Sequence, residues 1–330
     1  MPDYADQPVG SATPKGKSRR ASAARYIAGL IVIFVCVYSQ YIAQYLGFHF
    51  DFILGVAIVY GVPILIVTDL WGTSIIKKFF NNTLAASKFG LAFFGAFTAL
   101  GIIISVVILF FLLLFNPSTV NLLSKPNPVL NVSPQFAWIM VAASILIVGP
   151  AEEYLFRGFM FGALLEIFNN AHWLVLAFAS SALFAVVHLY YASTYGLASL
   201  IQFTELVTFG MAMSSTYYFS KGNLSIPSLI HGLFDATGFI GVAVSLEVGT
   251  GLRGLMILTG LIVGLILLIQ DSRTRDNNSS NLNAKPNASD ANNSHFPPNL
   301  QLCHRPRIIP AEATSNGADC EVRNHSKQAS

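Results

Sequence analysis

Charged residues are scarce in this chain of 330 residues. Asp, Glu, Lys and Arg together make up 11% of the sequence, whereas apolar residues make up 54%. Ordinary soluble proteins carry about 25% charged residues. So little charge cannot cover a water-soluble surface, and the composition therefore predicts an integral membrane protein. The formal net charge is only +3, which argues against a nucleic-acid partner.

Cysteine is also rare, with only Cys36, Cys303 and Cys320 in the chain and no CxxC spacing. This excludes a disulfide scaffold and a metal site built on cysteines. The sequence also lacks HExxH, and no serine or cysteine lies in a recognisable nucleophile motif. Any hydrolytic chemistry would therefore depend on carboxylates and histidines.

Composition divides the chain into three parts. Residues 1–25 form a polar, basic tail, residues 26–270 are almost continuously apolar, and residues 271–330 are rich in Asn and Pro. Such a polar segment is typical of disorder. We interpret the first apolar run, Tyr26 to Leu46, as a membrane helix, because it is too long for a signal peptide and lacks a small-x-small cleavage site.

A helix that crosses a bilayer needs about 20 apolar residues, and eight segments meet this requirement. They predict an all-α, polytopic membrane bundle. The predicted helices are 26–46, 52–68, 90–115, 136–167, 171–191, 196–219, 224–246 and 252–270. Basic residues concentrate in the gaps that would share a side with the N-terminus. Because basic residues favour the cytoplasmic side, we predict a multi-pass protein of the cell membrane with both termini in the cytoplasm.

The fourth predicted helix is too long and carries unusual charge. At 32 residues it would extend about 48 Å, and Gly149-Pro150 is the predicted place for a break. Directly after it lies AEEYLFRGF. Charges inside membrane helices are costly and mark function by default. Glu153 and Arg157 have the i,i+4 spacing of an ion pair, whereas Glu152 needs a partner from another helix.

Two histidines are the candidate partners of Glu152. His188 ends the run FAVVH in the fifth predicted helix, and His231 begins HGLFD in the seventh, four residues before Asp235. Glu152 and His188 are equally far from the turn at Asn170, which puts them level in a helical hairpin. We expect the cluster in the cytoplasmic half of the bundle. The role of Glu205 in the sixth predicted helix stays open at this point.

EEYLFR, FAVVH and HGLFD resemble the EExxxR, FxxxH and HxxxN/D signatures of the CPBP family of intramembrane proteases. This family, also called ABI, includes type II CAAX prenyl endopeptidases and bacteriocin-resistance proteins. The motif region covers about residues 136–240. The resemblance implies that Glu152 activates water and that Glu153 and Arg157 support it. It also implies that His188, His231 and Asp235 complete the catalytic cluster.

These residues suit peptide hydrolysis in two ways. Glu152 would deprotonate a water molecule, with the histidines acting as hydrogen-bond donors. Alternatively, the protein is a metalloprotease with a zinc ion, for which the candidate ligands are Glu152, His188, His231 and Asp235. Many relatives have Asn where this chain has Asp235, so the resemblance leaves the role of that carboxylate open.

The favoured interpretation is an intramembrane endopeptidase that acts on a membrane-associated protein or peptide, with a prenylated one as the best-known case in the resembled family. Two other classes stay open. One is a non-catalytic scaffold or bacteriocin-resistance protein of the same fold. The other is a proton-coupled transporter, because intramembrane Glu, His and Asp residues also relay protons.

Overall fold

A computed structural model describes residues 17–47, 51–77, 79–119, 121 and 130–283. Most of these residues are helical, and none of them forms a strand. The eight principal helices among them are α1 (Lys17–Tyr45), α2 (Phe52–Trp71), α3 (Thr83–Phe115), α4 (Pro134–Ile167), α5 (Trp173–Val187), α6 (Ser199–Phe219), α7 (Ser225–Ala243) and α8 (Leu246–Asn283). The prediction of an all-α polytopic membrane bundle is confirmed.

Seven of these eight helices are long and apolar enough to cross a bilayer. The eighth, α5, is apolar but shorter than the other seven. α5 has 15 residues, or about 22 Å of helix against a hydrocarbon core of roughly 30 Å. The predicted helix 171–191 was too long, because the chain leaves the helical path after Val187 and continues in short turns, Leu189–Tyr191 and Gly196–Ala198.

Several packed helices run in opposite directions, and α5 is one of them. Three antiparallel pairs are each defined by contacts at two levels. They are Trp173 with Tyr218 and Ser181 with Gly210 for α5 and α6, Phe93 with Phe219 and Gly101 with Thr208 for α3 and α6, and Gly95 with Leu261 and Lys88 with Asp271 for α3 and α8. The start of α3 and the part of α8 near Asp271 therefore lie at the same end of the bundle.

The fourth helix does not break at Gly149-Pro150 as predicted. α4 runs without interruption for 34 residues, and a π-helical segment, Ser144–Val148, directly precedes Gly149. There the Gly149 N–H bonds to the carbonyl of Ser144, five residues back. A proline in a regular helix clashes with the carbonyl four residues earlier. The wider π turn relieves that clash, so the helix can continue through Pro150.

The two ends of the described chain extend the bundle helices beyond the predicted limits. α1 begins at Lys17, inside the predicted basic tail 1–25, and residues 1–16 lie outside the described residues. α8 continues to Asn283, so the first part of the predicted disordered segment 271–330 is helical. Residues 284–330 lie outside the described residues. The chain separates into two compact units, Met1–Asn278 and Ser279–Ser330, and the site described below belongs to the first.

Candidate active site

Glu153 and Arg157 form the predicted ion pair in α4. The Nη1 of Arg157 donates to the Oε1 of Glu153 over 2.8 Å, and the two residues are 1% and 0% exposed. The guanidinium also lies over the ring of Phe184 in α5, 4.6 Å from its centroid. Two charges removed from solvent are tolerated because each neutralises the other.

His231 binds the same carboxylate oxygen, which sequence spacing did not reveal. Its Nδ1 lies 2.7 Å from the Oε1 of Glu153, and only 4% of its side chain is exposed. A carboxylate paired with an arginine can only accept hydrogen bonds, so Nδ1 carries the proton and donates. This contact fixes the orientation of the imidazole and directs its Nε2 at the remaining acidic groups.

The second nitrogen of His231 faces two further carboxylates. Its Nε2 is 3.5 Å from the Oε2 of Glu152 and 3.5 Å from the Oδ2 of Asp235. Glu152 is buried, whereas 36% of the Asp235 side chain is exposed. The structure thus brings Glu152, Glu153 and Asp235 around one imidazole. Asp235 lies on the accessible side of this cluster.

Glu152 has a partner that the sequence analysis missed, Tyr60 in α2. The phenol of Tyr60 donates to the Oε1 of Glu152 over 2.8 Å. α2 lies outside the recognised motifs, and a single tyrosine in an apolar helix is an ordinary membrane residue. No local signal would have identified it, because the contact depends on how α2 packs against α4.

His188 is not joined directly to the other predicted site residues by any contact among the described residues. It caps the C-terminus of α5, and its Nδ1 is 2.8 Å from the carbonyl oxygen of Phe184. The Phe184 ring lies between the two histidines, with centroids 4.7 Å from His188 and 6.0 Å from His231. Asp235 is near enough to His188 to interact with it electrostatically. His188 is therefore at the edge of the cluster.

Close backbone packing between α4 and α7 sets the positions of these side chains. A Cβ atom on Gly149 would lie 2.5 Å from the carbonyl oxygen of Ser228, and one on Gly232 would lie 2.6 Å from that of Ser144. Only glycine permits such an approach, as is common where membrane helices pack. Gly232 directly follows His231, so this crossing brings the imidazole within reach of both glutamates.

Glu205 and Arg253 lie near the accessible side of the cluster. The Nε of Arg253 donates to the Oγ1 of Thr237 over 3.1 Å, and its guanidinium lies 4.5 Å from the centroid of Phe234. Both Glu205 and Asp235 are near enough to interact electrostatically with Arg253. The structure thus places Glu205 within electrostatic reach of Arg253 in α8, and its role stays open.

The predicted zinc ligands do not form a complete metal site. Among the described residues, no three His, Cys, Asp or Glu side chains are arranged to hold one metal ion. His231 directs one nitrogen at Glu152 and Asp235, and its other nitrogen donates to Glu153, as the second nitrogen of a metal-bound histidine commonly does. His188, however, stands apart from this group. The described residues therefore do not bring the four predicted ligands together as one zinc site, and the steps below are derived for the protein's own side chains.

The arrangement suits the activation of a water molecule. A buried water generally needs two to four polar partners. The Nε2 of His231 and the two carboxylate oxygens that lie 3.5 Å from it, on Glu152 and Asp235, supply three. A carboxylate beside a fixed imidazole supplies a base and a second proton-transfer group. These are the parts that general acid–base hydrolysis requires.

Comparison with known proteins agrees with the motifs. Residues 134–237 match the family model described as type II CAAX prenyl endopeptidase Rce1-like. This match covers α4 to most of α7, the helices that carry Glu152, Glu153, Arg157, His188 and His231, as well as Asp235. No curated protein and no solved structure matches the chain. Residues 134–237 of the membrane bundle are thus similar to the Rce1-like family of type II CAAX prenyl endopeptidases, in agreement with the resemblance of the three motifs.

Proposed function

We propose that this protein is an intramembrane endopeptidase that cleaves a peptide bond by means of a water molecule activated by Glu152. The observation that carries this proposal is the placement of Glu152 and Asp235 at 3.5 Å from the Nε2 of His231, whose Nδ1 is held by Glu153. A purely structural charge cluster would pair its charges. Here Arg157 pairs with Glu153, and Glu152 lies across from an imidazole.

In the proposed mechanism, Glu152 takes one proton from the water as its oxygen attacks the carbonyl carbon of the scissile bond. The carbonyl oxygen becomes an oxyanion, which the imidazole of His231 would stabilise by donation from Nε2 when that nitrogen is protonated. The C–N bond then breaks, and the proton held by Glu152 passes to the departing amine. The ion pair of Glu153 and Arg157 keeps the imidazole oriented throughout.

His188 and Asp235 have supporting roles in this proposal. Both side chains are partly exposed, and 36% of the Asp235 side chain is accessible. Glu153, in contrast, is completely buried. Asp235 would hold the water or the imidazole, and His188 would provide a donor for the substrate backbone. The zinc predicted from the sequence stays a separate proposal, and none of these steps depends on it.

The proposed substrate is a membrane-associated protein or peptide, with a prenylated C-terminus as the first candidate. The membrane helices support its bilayer context, and the family model that residues 134–237 match supports its class. We propose that cleavage occurs near the cytoplasmic face, with both termini of the protein on that side.

The proposal is tested by comparing purified wild type with Glu152→Gln in liposomes that contain a fluorogenic prenylated peptide. Glutamine preserves the size of the side chain but cannot accept the proton. Loss of a general base typically costs about 10²–10⁴-fold in rate, and we expect a loss of that order with an unchanged melting temperature. Cleavage by the variant at the wild-type rate would contradict the mechanism. In that case the scaffold and the transporter would be the remaining interpretations of the protein's function.

A further inference from the structure

We propose that Tyr60 is a positioning residue for Glu152, so that the catalytic machinery includes α2, outside the family match of residues 134–237. The inference rests on the proposed function, because it concerns how Glu152 acts as a base. Tyr60 is partly buried, and its phenol donates to the Oε1 of Glu152 over 2.8 Å.

The hydrogen bond gives the two oxygens of Glu152 different environments. Oε1 is occupied by the phenol, whereas Oε2 is 3.5 Å from the Nε2 of His231. A carboxylate that rotated freely would present either oxygen to the water. With Oε1 held from the α2 side, Oε2 is the oxygen that faces the imidazole and takes the proton. Pre-organisation of this kind removes reorientation from the reaction step.

The local structure of α2 explains why the phenol reaches α4. Tyr60 lies in a π-helical segment, Ala57–Gly61, in which the N–H of Val62 bonds to the carbonyl of Ala57. This segment precedes Pro63, as the segment Ser144–Val148 precedes Pro150 in α4. π segments inside α-helices are rare and frequently occur at functional sites. Here Tyr60 lies within one such segment, and Glu152 lies between two others in α4, Ser144–Val148 and Tyr154–Phe161.

α2 makes a second hydroxyl contact with α4, and this contact provides a matched control. The hydroxyls of Thr68 and Tyr154 are 2.6 Å apart, and Tyr154 is buried two positions after Glu152. Thr68 also donates to the carbonyl of Ile64. Tyr154→Phe therefore removes one phenol hydroxyl between the same two helices without touching a carboxylate.

The experiment compares wild type, Glu152→Gln, Tyr60→Phe and Tyr154→Phe in liposomes with the fluorogenic prenylated peptide, measuring kcat, KM and melting temperature. If removal of a hydrogen bond to a charged group raises the activation barrier by the energy of that bond, the rate falls roughly 10- to 100-fold. We expect Tyr60→Phe to lose kcat by that factor with KM and melting temperature unchanged. Tyr154→Phe should keep the wild-type kcat.

The outcomes separate this inference from the proposed function. Equal cleavage by wild type and Glu152→Gln would overturn both. If Glu152→Gln is inactive but Tyr60→Phe cleaves at the wild-type kcat, Tyr60 does not position the base and only this inference is overturned. It is also overturned if Tyr154→Phe loses as much kcat as Tyr60→Phe, or if Tyr60→Phe melts at a clearly lower temperature, since either result indicates a role in packing alone.

Discussion

Replacing Arg157 by alanine should destabilise the fold much more than any change at the neighbouring Glu152. Arg157 is only 1% exposed, and its guanidinium lies 2.8 Å from Glu153 and 4.6 Å from the Phe184 centroid. Arg157→Ala leaves the carboxylate of Glu153 buried without its cation. Breaking a buried pair in this way costs roughly 3–5 kcal/mol.

Part of that cost is offset because His231 still donates to the Oε1 of Glu153. We therefore expect a value near the lower end, about 3 kcal/mol in the free energy of unfolding. For a domain of this size that corresponds to a melting temperature lower by roughly 6–12 °C. Activity should fall in parallel, because the imidazole loses its fixed support. Thermal unfolding in detergent, followed by intrinsic fluorescence, measures the shift.

Two further variants make the reasoning refutable. Glu152→Gln retains the shape of a side chain that is paired with no arginine, so its melting temperature should equal that of wild type. The double variant Glu153→Gln/Arg157→Ala removes the stranded charge and should recover part of the lost stability. If Arg157→Ala has the same melting temperature as the wild type, the buried pair does not stabilise the protein. If Glu152→Gln is equally destabilised, Glu152 is a structural residue.

Three other predictions concern packing, metal and topology. Gly232→Ala brings a Cβ within 2.6 Å of a backbone oxygen and should cost about 1–3 kcal/mol, whereas Gly251→Ala, with no atom within 4 Å, should melt like wild type. Proteolysis should survive exhaustive chelation. This prediction is contradicted if chelation abolishes activity and if the wild type carries near-stoichiometric zinc that the variant His188→Ala/His231→Ala lacks. Reporter fusions at residues 10 and 290 should both report the cytoplasm, and opposite locations would mean an odd number of crossings.

The membrane helices were largely predictable because each depends on a local apolar run. All eight predicted segments correspond to helices, although α5 ends at Val187 rather than at residue 191. The stop is not visible in the sequence, since no glycine or proline lies at that point and the next glycine is Gly196. The break predicted at Pro150 is absent because a π segment accommodates the proline, and π geometry has no simple sequence signature.

The site was only partly predictable, because some of its contacts lie within one helix and others join different helices. The pair of Glu153 and Arg157 follows from spacing within one helix, and it formed as expected. The partners of Glu152 depend on three helices. Sequence spacing suggested two histidines, whereas the structure gives one histidine at 3.5 Å and a tyrosine at 2.8 Å. Contacts between helices depend on close packing at residues such as Gly232, which no periodicity in the chain describes.

The balance of charge links the mechanism to the question of a metal ion. With Glu152, Glu153 and Asp235 ionised, Arg157 alone leaves two negative charges in a buried cluster. Such an excess is costly where solvent is excluded. A proton on His231 or on a carboxyl group reduces it, and so would a divalent cation, which means that protons and a metal compete for the same role. Arg253 is within electrostatic reach of Asp235, but Glu205 is within reach of the same guanidinium. Arg253 therefore does not remove the excess charge, and the chelation experiment decides whether protons or a divalent cation balance Glu152, Glu153 and Asp235.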